Sequence, residues 1–211
     1  MKLKYILIFA LIIVAIIILF LVINEFLIRN NNVLISTDPA KFGLTNEEVG
    51  TPYYLDKGEY IKKENEEFFV KNFGLSNGYT QIFADSNYSV DISKTLSLNE
   101  TDKTQKFLAY RMGVTISLFD SIDGAARYYS DRVNKSELKS SFPPKDLGDE
   151  AMAGYNSPSN NVCYFEKCNQ HVYALVFRKN NVVVMINRIL AQQTSDDKIV
   201  EWGRIIESKI K

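Results

Sequence analysis

Histidine occurs once in the 211 residues, at His171, and cysteine twice, at Cys163 and Cys168. So few imidazoles and thiols nearly exclude Ser-His-Asp and Cys-His chemistry, which needs a nucleophile and a base held side by side. Gly-x-Ser-x-Gly, the Walker A loop, His-Glu-x-x-His and the Rossmann glycine fingerprint are all missing as well. Charge is balanced, with Lys plus Arg and Asp plus Glu both numbering 25. Without a basic surplus to displace counterions from a polyanion, nucleic acid is not an expected partner. The length suits one domain of ordinary size, or a smaller one plus an anchor, and multidomain readings are excluded.

The chain does have one long apolar run. Tyr5 to Ile23, YILIFALIIVAIIILFLVI, carries no charge, Gly or Pro. As a helix it would extend roughly 28 Å at 1.5 Å per residue, which matches a hydrocarbon core. It exceeds a secretory h-region and runs into Asn24, Glu25 and Phe26 without an Ala-x-Ala site, so an uncleaved signal anchor is favoured over a cleaved signal. Lys2 and Lys4 precede the run, while Glu25 and Arg29 follow it and cancel. The positive-inside rule then predicts a single-pass protein of the cell membrane, with a cytoplasmic N-terminus and the C-terminal domain outside. The expected organisation is a tip and anchor over residues 1–28, a juxtamembrane spacer over 29–58 and an extracytoplasmic domain over 59–211. The lipid bilayer is the expected partner of residues 5–23.

Outside the cell an even cysteine count favours a Cys163–Cys168 disulfide, with two free thiols or a metal pair as rivals. Metal is disfavoured, because two thiols and His171 lack a fourth ligand. Asn87, Asn99 and Asn134 begin Asn-x-Ser/Thr triplets and are glycosylation candidates whose meaning depends on the host.

Pro39, Gly43, Gly50, Pro52 and Gly58 punctuate the spacer, which reads as having little regular structure. Residues 60–73 suit a short helix ending at Gly74. Tyr79 to Ala84 and Tyr88 to Leu98 read as strands. Between Lys106 and Phe119, apolar residues recur at every second position (Leu108, Tyr110, Met112, Val114, Ile116, Leu118) and predict one buried strand face. Ser121 opens a helix whose stripe is Ile122, Ala125, Ala126, Tyr129 and Val133. Short strands follow near Ala151 to Tyr155 and Val162 to Phe165. His171 to Arg178 and Val182 to Leu190 form a hairpin around Lys179, Asn180 and Asn181, since Asn tolerates left-handed geometry. A last helix, capped by Thr194 or Ser195 with Asp196 and Asp197 in its first turn, carries Ile199, Trp202, Ile206 and Ile210 on one side. The predicted fold class is α+β: one N-terminal transmembrane helix, then an antiparallel sheet with helices packed on one face.

Several segments carry a resemblance: Asp38-Pro39 with Phe42 and Leu44, Gly78-Tyr79 with Phe83, Ala125-Ala126 with Tyr128-Tyr129, Leu147 to Ala151, and Val176 to Val184. Together they resemble a loose group of uncharacterised membrane-anchored or lipoprotein ectodomains of archaea and bacteria, distantly like the extracellular sensor domains of bacterial receptor kinases. The resemblance spans about residues 38–210 and implies a fold without implying an activity or a cofactor. Asn180 stands where Gly is more usual at that hairpin.

Asp146, Asp149 and Glu150 cluster at a Gly turn and are the one place where carboxylates could bind a cation or act as acid and base. The bland reading is a solvated turn in which Asp149 caps backbone donors. Arg178, at a strand end beside the hairpin, is placed to pair with one of these acids, and the alternative for it is anion binding. His171 opens a strand and reads as a surface or satisfied residue, while Trp202 and most tyrosines fall in core patterns. The favoured function is a non-enzymatic, membrane-anchored extracytoplasmic binding or sensor-like domain that takes an envelope ligand or a membrane protein. A carboxylate-based hydrolase of cell-surface polymer and an accessory subunit of a membrane complex are the alternatives.

Overall fold

Side chains that alternate along a strand give a sheet two faces, and both faces of this one are apolar. The computed structural model describes Ile13, Ile17 and residues 33–85, 112–136, 138–156, 171–190 and 197–211. The chain divides into two compact units, Met1–Val33 and Leu34–Lys211. In the first, Ile13 and Ile17 are helical. The second holds seven strands: β1 (Tyr53–Tyr60), β2 (Leu75–Asp85), β3 (Met112–Phe119), β4 (Lys139–Phe142), β5 (Glu150–Asn156), β6 (His171–Lys179) and β7 (Val182–Leu190). They pair antiparallel in the order β1-β2-β3-β7-β6-β5-β4. Its helices are α1 (Asn46–Val49), α2 (Glu67–Phe73), α3 (Ile122–Lys135) and α4 (Asp197–Lys209), with single 3-10 turns at Pro39–Phe42 and Lys63–Glu66.

Met112, Val114, Ile116 and Leu118 do share one buried face of β3, continued by Val182, Val184 and Ile186 on β7 and by Leu175 and Phe177 on β6. Helix α4 covers that face with Ile199, Trp202 and Ile206, followed by Ile210 just beyond its end, and the segment before β1 adds Ile35, Phe42, Leu44 and Val49. Two buried amides bind this segment to the sheet. Asn181 accepts from the Ile35 amide at 2.7 Å and donates to the carbonyls of Ile35 at 3.0 Å and Phe119 at 2.7 Å. Gln81 accepts from the Leu44 amide at 2.8 Å and donates to its carbonyl at 3.0 Å. Buried backbone groups that would otherwise lack partners are thereby satisfied.

On the opposite face, Val176, Val183 and Phe119 meet Ala125, Tyr128 and Tyr129 of α3, with Phe69, Val70 and Phe73 of α2 beside them. Ser121 caps α3 by accepting from the Gly124 amide at 3.0 Å, and Gly74 closes α2 in the left-handed conformation, φ 71°. A Cβ on Gly124 would run into the Phe73 carbonyl, so a glycine there lets α3 start against the end of α2.

Several expectations are corrected. The helices do not share one face of the sheet, since α3 and α4 lie on opposite faces. Residues 24–58 are not without regular structure, for they include α1, β1 and the Pro39–Phe42 turn. Among the described residues no helix is long and apolar enough to cross a membrane. The longest, α3, has 14 residues, about 21 Å at 1.5 Å per residue, and carries Asp123, Arg127, Asp131, Arg132 and Lys135. Of Tyr5 to Ile23, all but Ile13 and Ile17 lie outside the described residues. The transmembrane helix of the expected fold is therefore corrected. With it go the signal anchor, the bilayer partnership of residues 5–23, the single-pass topology with an outer domain, the envelope or membrane-protein partner, and the accessory-subunit alternative. The disulfide is corrected as well: none is found among the described residues, and Cys163 and Cys168 lie outside them. The strands expected at Tyr88 to Leu98 and Val162 to Phe165, the caps Thr194 and Ser195, and Asn87 and Asn99 also fall outside. Asn134 is exposed near the end of α3.

Candidate functional site

Arg178 and Glu150 are direct cross-strand partners of β6 and β5, on the face that α3 covers. The register therefore brings the acidic turn to the hairpin. Arg178 Nε donates to Glu150 Oε2 at 2.7 Å, and Nη1 donates to Asp149 Oδ2 at 3.0 Å and to the Asn180 carbonyl at 2.9 Å. Asp149 Oδ2 also accepts from the Asn180 amide at 2.7 Å, while the Asp149 amide donates to the Arg178 carbonyl at 2.7 Å. Asn180 sits at φ 54°, the left-handed geometry expected of the hairpin. Gly148, at φ 63°, lies so close to the Arg178 carbonyl that a Cβ would collide with it. Its amide donates to Glu207 Oε1 at 3.0 Å, which ties the turn to α4.

These contacts make a clasp. Arg178 takes both acids, where the sequence suggests one, and Asp149 also caps a backbone donor. Asp146, exposed at φ 55°, is not drawn into it. Asp149 and Glu150 both bond one guanidinium, and the cell-surface hydrolase alternative is corrected together with the membrane anchor it was read on. Among the described residues no group of three or more His, Cys, Asp or Glu could hold a metal. The shallow depression in front of the turn, about 510 Å³, is lined by Tyr129, Pro143, Pro144, Asp146 and the 147–151 backbone. Burial, reinforced by the charge of Glu150 and opposed by Arg178, pushes the Tyr129 hydroxyl up to about 12, so it stays protonated.

A second cavity, about 280 Å³, opens where α2 and α3 cross the sheet, and no sequence motif points to it. Thr80, Thr115 and Ser117 form its floor, Ile61, Leu75 and Met185 its apolar sides, and Phe69, Glu66, Tyr128 and Arg132 its helical wall. Thr80 lies directly opposite Thr115 across β2 and β3, and Met185 lies opposite Thr115 across β3 and β7. Arg132 is set by helical spacing one turn beyond Tyr128. Its Cζ lies 4.6 Å from the Phe69 ring centroid and 4.9 Å from that of Tyr128, and the two rings meet edge to face at 5.5 Å. The guanidinium is thus held by cation–π contact. Its Nε is buried and has no hydrogen-bond partner among the described residues. Burial raises the Tyr128 hydroxyl above its ordinary value, against the pull of Arg132 and Ser117, and keeps it neutral.

The usable signal for this cavity was the other half of the alternation in β3. Thr115 and Ser117, between buried apolar residues, mark a face that is packed yet polar. Arg132 carries no such mark, because a lone Arg on an amphipathic helix reads as solvated.

No protein-family model matches the chain, and no curated protein matches its sequence. Among solved structures it is similar to the extracellular domain of PknH from Mycobacterium tuberculosis, with a TM-score of 0.54 and 11% identity over 85% of this chain and 98% of that one. That likeness shows a shared fold. It agrees with the distant resemblance to receptor-kinase extracellular sensor domains, and it lends nothing to membrane anchoring or to an archaeal and bacterial grouping.

Proposed function

We propose that the Leu34–Lys211 unit is a small-molecule-binding domain of the sensor type, with its ligand site in the cavity walled by Arg132. The observation that carries the reading is Arg132, whose guanidinium lies within 4.9 Å of the Phe69 and Tyr128 ring centroids in the wall of a cavity floored by hydroxyls, with a buried Nε that has no hydrogen-bond partner among the described residues. A buried donor left without an acceptor costs a folded chain about 1–3 kcal/mol, and such a cost is kept where the group serves something besides packing. The sensor-type reading follows the fold shared with the extracellular domain of PknH. The clasp around Arg178 bonds its guanidinium to Asp149, Glu150 and the Asn180 carbonyl and fixes the hairpin against β5 and α4.

A ligand-observed NMR screen of small fragments against the full chain tests this, with hits repeated on Arg132→Met and Arg178→Gln. Hits should vanish with the first variant and persist with the second. Hits indifferent to Arg132→Met would refute the assignment.

A further inference from the structure

We infer that this cavity takes a small organic monocarboxylate with an apolar body, an inference that rests on the Arg132 cavity being the binding site. Arg132 lines the cavity with its Cζ 4.6 Å from the Phe69 ring centroid and 4.9 Å from that of Tyr128. A guanidinium carries parallel in-plane donors that match the two oxygens of a carboxylate, and Arg132 Nε has no hydrogen-bond partner among the described residues. Thr80 and Thr115, paired across the strands, add hydroxyl donors beneath. A cationic head-group would meet the guanidinium, and a neutral one would offer it no charge-assisted bond.

Size and sign narrow the class further. A cavity of about 280 Å³ admits a molecule of amino-acid size and excludes a nucleotide or an oligosaccharide unit with its neighbours. Ile61, Leu75, Phe69 and Met185 supply the surface for an apolar body. Glu66 stands in the same wall as Arg132, so a bound monoanion leaves the site one net negative charge and a dianionic phosphate or phosphonate leaves it two. Tyr128, kept neutral by burial, adds none.

The test uses the full chain and four probes with one phenyl body: phenylacetate, phenylethylamine, 2-phenylethanol and benzylphosphonate. Each is titrated while the Arg132 Nε–Hε resonance is followed. Phenylacetate should bind at least about tenfold more tightly than the other three, as expected when one charge-assisted bidentate pair distinguishes them. Arg132→Lys, which keeps the charge and loses the fork, should weaken phenylacetate by about tenfold with the circular dichroism unchanged. Glu66→Gln should narrow the gap between benzylphosphonate and phenylacetate several-fold. If the alcohol, amine or phosphonate binds as tightly as phenylacetate and Thr115→Val weakens it, the carboxylate assignment is overturned and the pocket stands. If no probe moves the Arg132 resonance, or if binding ignores both Arg132→Lys and Thr115→Val, the pocket reading falls with it.

Discussion

The two faces of the sheet are built from the same strands and differ in what the covering helix brings. Over one face, α4 lays Ile199, Trp202 and Ile206 on Leu175, Phe177, Val184 and Ile186, all at 2% exposure or less. The polar groups on that side, Asn181 and Gln81, close on the backbone of the N-terminal segment. Over the other face, α3 and α2 bring rings and one guanidinium, and the strands answer with Thr80, Thr115 and Ser117 around a cavity. Interiors are packed near crystal density, so a cavity with an unpaired donor is a cost to folding that the first face does not carry. One face holds the fold, and the other is free to hold something else.

The division can be broken first where packing is densest. Trp202→Ala, emptying the centre of the α4 interface, should cost about 3–5 kcal/mol in urea denaturation. A loss under about 1 kcal/mol would make that face no more committed to stability than the other. Asn181→Ala removes the bonds to Ile35 and Phe119 and strands their backbone groups, for an expected loss of about 2–4 kcal/mol. Retained protection of the Ile35 amide in hydrogen exchange would speak against it.

The clasp comes next. Arg178, with 12% of its side chain exposed, is paired to acids exposed at 33% and 44%. Arg178→Gln should therefore cost about 1 kcal/mol and leave ligand responses intact. Arg132→Met, by contrast, should shift stability by under about 1 kcal/mol in either direction while abolishing fragment binding, because the thioether keeps contact with the two rings and removes a buried donor that has no acceptor among the described residues. A large destabilisation would turn the pocket wall into another piece of core.

The smallest effect is electrostatic. Burial of Glu48 opposes its ionisation, yet the bonds from Lys209 Nζ and the Thr45 amide outweigh it and hold the carboxyl below its ordinary value. A depressed carboxylate stabilises the fold above the unfolded value near 4.5, and that contribution is lost as pH falls through the lower folded value. Glu48→Gln should thus cost about 0.5 kcal/mol at pH 7, with the difference from the parent fading as pH falls below the unfolded value. A difference that grows on acidification would have the wrong sign.

Much of the fold was legible because its signals were local. The alternation from Met112 to Leu118, the Ser121 cap, the Asn180 turn and the stripe Ile199, Trp202, Ile206, Ile210 each declare their element within a few residues. β1 was not, for Tyr53 to Tyr60 contains Asp56, Lys57, Gly58 and Glu59, and as an edge strand with most of its side chains exposed it shows no apolar alternation. The long run near the N-terminus gave a strong signal from composition alone, and no membrane-spanning helix among the described residues answers to it. At the acidic turn the residue types were legible, and their pairing was not. That Arg178 would take both acids follows from the β5–β6 register, which joins residues 28 and 29 positions apart. The Arg132 cavity draws on α2, β2, β3, α3 and β7, and no spacing along the chain encodes it.

The most direct test of a binding face set apart from a stabilising one is to map backbone amide shifts of the full chain during titration with phenylacetate. The account predicts shifts centred on Thr80, Thr115, Ser117, Tyr128 and Arg132, with Trp202, Ile206 and Arg178 unmoved. Shifts centred on α4, or on the Asp149–Glu150 turn, would contradict it.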